Sequence, residues 1–136
     1  MRTCICVMLF SAIGLMAQQK AIKDVPVEQT SPVSGVQMFK AYCASCHGTS
    51  GKGNGPAASA LKKAPADLTI LARTNGGKFP EDVVTSQLRV SSEPSHGSAE
   101  MPVWGPLLTS VSNGDRAEVQ LRIHNLVAYI QTIQAK

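Results

Sequence analysis

The clearest hydrophobic pattern in this 136-residue chain lies near its C-terminal end. From about Asp115 to Gln134, apolar residues recur every three or four positions, at Val119, Ile123, Leu126, Val127, Ile130 and Ile133. That period predicts one long amphipathic helix whose apolar face packs against a core. No stretch alternates apolar and polar residues for long enough to predict a strand. We therefore expect an all-α fold.

Two shorter helices are predicted before this one. Ser34 is suited to be the N-cap of a helix that carries Phe39 and ends near the cysteine-rich segment that follows. Pro80 is suited to the first turn of a second helix, which would continue to about Val90. Both predictions depend on local signals for a helix start rather than on a long apolar repeat.

Glycines and prolines divide the rest of the chain into loops. Helical turns are expected at 57–63 and 67–72, where Asp67 is a candidate cap, and a tight turn at 75–77. Residues 91–106 contain three prolines and two glycines, which predicts an irregular segment. The expected fold therefore consists of short helices joined by long loops.

The N-terminal segment is typical of an export signal. Arg2 is followed by an uncharged, mostly apolar stretch and then by Ala17, a small residue suited to cleavage, although the cut site itself is uncertain. The apolar stretch is shorter than the roughly 20 residues that span a bilayer, so a retained membrane anchor is the alternative. We expect a signal peptide at 1–17, a flexible leader at 18–33 and one domain at 34–136. Export predicts a periplasmic location.

Charge excludes one class of function. The chain has 13 Lys and Arg against 9 Asp and Glu, a formal net charge of +4, but its basic residues are scattered and not interleaved with aromatic ones. Nucleic-acid binding is therefore not expected. A mild positive excess is compatible with attraction to an acidic protein partner. Only 4% of residues are aromatic, so aliphatic side chains or a bulky non-protein group must fill the core.

The sequence from Cys43 to His47 has the C-x-x-C-H spacing of c-type haem attachment. Two thiols three residues apart can reach two vinyl groups of a porphyrin, and the next residue then places an imidazole beneath the iron. A redox dithiol would be expected in a strand-helix context, and a zinc site would need four ligands. The motif therefore favours one covalently bound haem c, held by Cys43 and Cys46, with His47 on the iron.

The sixth iron ligand has to come from another part of the chain. Met101 lies in the irregular segment, and a loop thioether there would give the His/Met ligation that raises a reduction potential. His96 in the same segment is the alternative, and an open sixth position is a further one. His124 lies off the apolar face of the last helix and is expected at the surface.

At these residues the chain resembles the class I cytochrome c family, over roughly residues 35–134. In that family a glycine and an aromatic residue precede the first attachment cysteine by eight and four positions, as Gly35 and Phe39 do here. The family's last helix offers a leucine and an aromatic residue three apart, matched by Leu126 and Tyr129. The resemblance implies a cytochrome c fold around one haem, closed by packing between these two pairs.

The resemblance also implies roles for single residues. The carbonyl of Pro56 would accept a hydrogen bond from His47. The segment around Met101 and Trp104 is similar to that of single-haem bacterial members, which implies Met101 as distal ligand and Trp104 near the haem edge. Partners of the haem propionates cannot be assigned by resemblance, and the candidates are Arg73, Lys78 and Arg89.

Together these inferences predict a single-electron carrier and not an enzyme. Its iron would cycle between Fe(III) and Fe(II) in a periplasmic respiratory or oxidoreductase chain. Its partners would be redox proteins that donate and accept electrons, including membrane-bound ones, with no small-molecule substrate. Two alternatives remain, namely the haem c subunit of a larger oxidoreductase and a haem-based gas or redox sensor.

Overall fold

The structure is a computed structural model that describes residues 27–89, Met101 and residues 104–135. Within these ranges every regular element is helical and none is a strand, which confirms the all-α prediction. The predicted signal peptide at 1–17, the first part of the leader and His96 lie outside the described residues.

Helices follow one another along the described chain, separated by connections of unequal length. The first helical stretch comprises α1 (Gly35–Met38), a π-helical turn at Phe39–Cys43 and α2 (Ala44–His47), and two 3₁₀ turns lie at Ala58–Ala60 and Leu68–Ile70. The α-helices are α1 (Gly35–Met38), α2 (Ala44–His47), α3 (Leu71–Thr74), α4 (Glu81–Arg89), α5 (Trp104–Val111) and α6 (Arg116–Thr132).

Several helix boundaries agree with the local signals in the sequence. Ser34 caps α1 by accepting a hydrogen bond from the Gln37 backbone N–H at 3.3 Å. Asp115 caps α6 in the same way, and α4 begins directly after Pro80. The predicted helix at 57–63 is reduced to a single 3₁₀ turn.

Helix α5 was not expected from the sequence. It starts at Trp104, so Gly105 and Pro106 fall in its first turn, where the missing N–H of proline costs no helical hydrogen bond. Leu108 is 1% exposed and packs into the core. The irregular segment predicted to extend to Pro106 therefore ends earlier.

The core is built on one face of α6, as the apolar repeat predicted. Val119, Ile123, Leu126, Val127 and Ile130 are all buried. They form one cluster with side chains of the first helical stretch, α4 and α5, namely Met38, Phe39, Tyr42, Cys43, Ala44, Leu88, Trp104 and Leu108.

Helices α1 and α6 approach closely at the pairs that the resemblance implied. A Cβ atom on Gly35 would lie 2.1 Å from the Asn125 carbonyl oxygen and 2.8 Å from the Tyr129 Cβ, so only glycine fits there. The rings of Phe39 and Tyr129 pack with their centroids 5.2 Å apart. This crossing fixes the first helical stretch against the C-terminal helix.

Residues 27–33 are hydrogen-bonded to the domain. The sequence had predicted a loose leader at 18–33, so this part of the leader is more ordered than expected. Thr30 is 7% exposed, and its carbonyl accepts a hydrogen bond from Arg122 at 2.9 Å. The Pro32 carbonyl accepts one from the Asn125 side chain at 3.0 Å. We call residues 27–33 the N-terminal segment below.

Within the described residues, no helix combines the length and the apolar character needed to cross a membrane.

Candidate functional site

The Cys-His motif lies at the C-terminal end of the first helical stretch. Cys43 is the last residue of the π-helical turn, whose wider ring is closed by the Ala44 N–H donating to the Phe39 carbonyl. Such single π turns inside helices are frequent at functional sites. The following residues form α2, and Gly48, with φ of 76°, ends it directly after His47.

A glycine-rich loop, residues 48–57, folds back against the motif and satisfies its backbone carbonyls. Backbone N–H groups of Gly53, Gly55 and Ala57 donate to the carbonyls of His47, Cys46 and Ser45 at 2.8, 3.0 and 2.9 Å, respectively. These are carbonyls that a helix end leaves without helical partners. A Cβ on Gly55 would lie 2.4 Å from the Ser45 carbonyl oxygen, so this close return requires glycine.

The two motif cysteines are not joined in a disulfide, and they differ in exposure. Cys43 is buried, whereas Cys46 is half-buried. Burial, and secondly the neighbouring Cys46, raises the pKa of the Cys43 thiol to about 12. The attacking thiol of a redox dithiol needs a lowered pKa, because the thiolate is the reactive form. Cys43 therefore does not have the environment of an attacking thiol.

The imidazole of His47 is oriented by a backbone carbonyl. Its Nδ1 lies 2.9 Å from the Ala66 carbonyl oxygen, which can only accept, so Nδ1 carries the proton. The lone pair of Nε2 then remains for a metal, and such a hydrogen bond is the usual support of a metal-bound histidine.

Ala66 takes the place that the resemblance implied for Pro56, and this corrects that assignment. Pro56 is exposed and is not among the described residues that line the site. The reason is the close packing of Gly53 on Pro65, where an added Cβ would lie 2.3 Å from the Pro65 carbonyl oxygen. This contact brings the backbone at Ala66, rather than that at Pro56, next to the imidazole.

Asp67 holds the backbone next to this carbonyl. Its carboxylate accepts hydrogen bonds from the Thr69 hydroxyl at 2.6 Å and the Thr69 N–H at 2.8 Å, and so caps the 3₁₀ turn at Leu68–Ile70. These two bonds hold the pKa of the Asp67 carboxyl below its ordinary value of 3.8.

Asp67→Ala is expected to lower the free energy of unfolding by about 1 kcal/mol at neutral pH, the usual cost of a lost cap. Because the pKa of the Asp67 carboxyl is lower in the folded than in the unfolded protein, its charge stabilises the fold at pH values above the unfolded-state pKa. This stabilisation is lost as the pH falls through the folded-state pKa. The difference between the two proteins should therefore shrink below about pH 4. Denaturant unfolding from pH 7 to pH 2 measures it. Asp67→Asn, which keeps an acceptor oxygen, should cost less at neutral pH, and an equal cost would contradict the capping role.

A cavity of about 360 Å³ opens beside the motif. Both cysteines and His47 lie along it, and apolar side chains dominate the rest of its surface. The other lining residues come from the loop before α3, from α3, from Pro80 and α4, from Met101, and from α5 and α6. They include Leu61, Pro65, Leu68, Leu71, Val83, Val84, Leu88, Trp104 and Ile130. Val83 is 46% exposed although it is apolar, and part of the surface that it presents belongs to this cavity.

Met101 and Trp104 both line this cavity, so the structure brings the two distant candidates to the motif. Trp104 is 8% exposed and packs against Tyr42, with ring centroids 5.5 Å apart and an angle of 31° between the rings. Tyr42 also lines the cavity, a role that the sequence analysis missed. Its position directly before Cys43 was the available signal.

The candidate propionate partners are not found at the cavity. Arg73, Lys78 and Arg89 do not line it in the described structure, and the Arg89 guanidinium instead donates to Gln120. A cation that does line the cavity is Lys63. Because the basic residues are scattered along the sequence, their positions did not indicate which of them would lie at the cavity. His124 is exposed on α6, as expected.

The donor set and the surroundings fit a haem. Two thiols, an imidazole with its ring fixed and a thioether face one apolar cavity, which is the chemistry that haem iron and its porphyrin require. Within the described residues, no group of three or more His, Cys, Asp or Glu side chains is arranged to hold a metal ion by itself.

Comparison with known proteins gives one match. The family model described as cytochrome c oxidase, cbb3-type, subunit III matches residues 31–119, more than half of the chain. The match covers the Cys-His motif, the residues that line the cavity except Ile130, and the start of α6. Neither the curated proteins nor the solved structures contain a significant match. On this evidence the chain belongs to the family of cbb3-type cytochrome c oxidase subunit III, and is a class I c-type cytochrome with the cytochrome c fold and a haem c electron-transfer function.

Proposed function

We propose that this chain is a single-electron carrier with one haem c, bonded covalently to Cys43 and Cys46 and ligated by His47 and Met101. The observation that carries the proposal is the shared cavity, since all four side chains line the same apolar space. Cys43 and Cys46 are 55 or more residues from Met101 in the sequence, so it is the fold that brings them to the same cavity.

Each residue has a defined task in this proposal. Cys43 and Cys46 hold the group through thioether bonds, and the Ala66 carbonyl keeps Nε2 of His47 directed to the iron. Met101 supplies the thioether ligand that stabilises the reduced state and raises the potential. When bound, the haem supplies a one-electron couple, while Leu88, Trp104 and the other apolar lining residues exclude water.

An electron carrier of this kind has no catalytic residues. With His47 and Met101 both on the iron, no position stays open for a substrate, and the protein needs only donor and acceptor proteins as partners. A haem-based gas sensor would need a weak or displaceable sixth ligand. Resistance of the reduced protein to carbon monoxide would support the carrier, and ready binding would support the sensor.

Export to the periplasm belongs to the proposal. Its support is the charge and apolar pattern of residues 1–17, followed by a segment rich in polar residues. An uncleaved N-terminal segment would instead hold the protein at the membrane face. The N-terminal residue of the purified protein distinguishes the two.

The second candidate is the haem c subunit of a larger oxidoreductase. The matched family favours it, because its description names a subunit of an oxidase. A stable complex that copurifies with the tagged chain from mild detergent, with haem-containing partners, would favour the subunit. Recovery of the chain alone would favour the free carrier.

Met101→Ala tests the axial ligation. We expect the weak absorption at the red end of the ferric spectrum, which sulfur ligation produces, to disappear in this variant. The reduction potential should also fall, because the thioether stabilises ferrous iron. The measurement is an optical redox titration of the holoprotein, made with a haem-attachment system.

Met38→Leu is the matched control for this test. Met38 is fully buried beside the motif but is not among the described residues that line the cavity. A volume-conserving core exchange should cost less than about 1.5 kcal/mol and leave the absorption in place. If the absorption persists in Met101→Ala, another residue must be the sixth iron ligand, and His96 is the first to test.

A further inference from the structure

Arg122 is a buried cation that the proposed function does not use. It lies on α6 with 2% of its surface exposed. Its Nη2 and Nε donate to the Glu118 carboxylate at 2.7 and 3.0 Å, and Nε also reaches the Ser112 hydroxyl at 3.1 Å. Its Nη1 donates to the carbonyl and hydroxyl oxygens of Thr30 at 2.9 and 3.0 Å. Burying a charge is costly unless all its donors are satisfied, and here each nitrogen has a partner.

The hydrogen bonds continue from Arg122 to a tyrosine. Thr30 Oγ1 lies 2.7 Å from the Tyr42 hydroxyl, and the Tyr42 hydroxyl donates to the Glu28 carbonyl at 2.7 Å. Because the Tyr42 hydrogen is used on Glu28, the hydroxyl of Thr30 must donate to Tyr42. Thr30 therefore accepts from Arg122 and donates to Tyr42, which gives the chain of bonds one direction. Such aligned bonds strengthen one another in a medium of low dielectric constant.

The tyrosine in this chain of bonds is part of the cavity. Tyr42 is 7% exposed, directly precedes Cys43 and packs against Trp104, and both rings line the apolar space beside the motif. The ring of Tyr42 is thus held from two sides, by its hydroxyl partners and by Trp104. We call these two rings the aromatic wall.

We propose that Arg122 is a positioning residue that acts through Thr30 and Tyr42 to fix the aromatic wall, and that it thereby sets the reduction potential of the haem. This inference rests on the proposed function. A closed wall keeps water away from the iron, and a drier site disfavours the ferric state, which carries one more positive charge than the ferrous state. Loosening the wall should therefore lower the potential.

The charge of Arg122 acts in this scheme mainly through the bonds it makes. Its guanidinium is paired with the Glu118 carboxylate, so its direct field at the cavity is largely balanced. Tyr42→Phe and Thr30→Val change no charge and keep the side-chain shapes nearly constant. They test positioning separately from electrostatics, and they avoid the risk that Arg122→Met fails to fold.

The experiment is a redox titration of the full-length holoprotein and these variants. We expect Tyr42→Phe and Thr30→Val each to raise the ferric-to-ferrous ratio at a fixed potential by about threefold to tenfold, where tenfold corresponds to about 59 mV for one electron. The double variant should show little more than the larger single effect, because both substitutions break the same chain of bonds. Arg122→Met, if it folds, should shift the ratio in the same direction.

Two control variants separate positioning from general loosening. Gly76→Ala and Gly77→Ala each add a methyl group in the turn at 75–77, at residues that do not line the cavity and where no heavy atom lies within 4 Å of the new Cβ. Both glycines have a positive φ that alanine rarely adopts, so each variant should unfold at a lower temperature. Both should leave the potential unchanged. Thermal unfolding monitored by circular dichroism confirms that every variant compared is folded.

The outcomes are distinct. An unchanged potential in both Tyr42→Phe and Thr30→Val overturns the inference while the proposed function stands. An equal shift in the two controls also overturns it, because general loosening would then suffice. If the unmodified protein carries no covalent haem, the proposed function itself fails, and the inference fails with it.

Discussion

Gly35→Ala is expected to lower the free energy of unfolding by about 3 kcal/mol or more, at or above the upper end of the cost of overpacking. The added methyl group would lie 2.1 Å from the Asn125 carbonyl oxygen and 2.8 Å from the Tyr129 Cβ. A backbone oxygen cannot turn aside as a flexible side chain does, so α1 and α6 would have to separate. The contact of the Phe39 and Tyr129 rings would be lost in part. Denaturant unfolding of the holoprotein measures the change.

Gly76→Ala is the matched control. It adds the same methyl group at a glycine with no heavy atom within 4 Å of the new Cβ, at φ of 65°. Only the backbone cost of about 1–2 kcal/mol is expected there. A loss of stability for Gly35→Ala no larger than that for Gly76→Ala would show that the close helix crossing is not what requires glycine.

The double variant Cys43→Ser, Cys46→Ser is expected to lose covalent haem completely. Serine hydroxyls do not form the thioether bonds, so any haem that enters the apolar cavity should be extracted by acid and organic solvent. Each single variant should keep one bond and retain the haem. Its absorption should move to longer wavelength, because one vinyl group stays conjugated with the porphyrin. Spectra before and after extraction provide the measurement.

Ser45→Ala is the control for disturbance of the motif, because this exposed residue lies between the two cysteines. It should keep the haem through extraction and leave the absorption unshifted. Haem that resists extraction in the double variant would contradict attachment at this motif.

Local signals were sufficient for much of the fold. The apolar repeat of α6, the cap at Ser34 and the proline before α4 each depend on residues a few positions apart, and each prediction was confirmed. Helix α5 was missed because Gly105 and Pro106 are read as loop residues unless the start at Trp104 is already known.

The candidate site was predicted only as far as its residues lie in one short motif or match the family. The pairing of His47 with Ala66, rather than Pro56, depends on how the glycine-rich loop packs on Pro65. That packing is a tertiary property that spacing does not encode.

The contacts of Arg122 were hidden for the same reason. This residue meets Thr30 across 92 positions of sequence, and nothing in its neighbourhood distinguishes it from the exposed basic residues. A regular apolar face predicts which side of a helix is buried, but not which charged residue is taken into the core with it.

The intact mass of the protein, purified after export by cells with a haem-attachment system and measured under denaturing conditions, tests covalent haem binding most directly. The expected result is one species with the mass of the processed polypeptide plus one haem, and a peptide containing Cys43 and Cys46 that carries the whole increment. A bare polypeptide from correctly exported material, with both cysteines open to alkylation after denaturation, would contradict it.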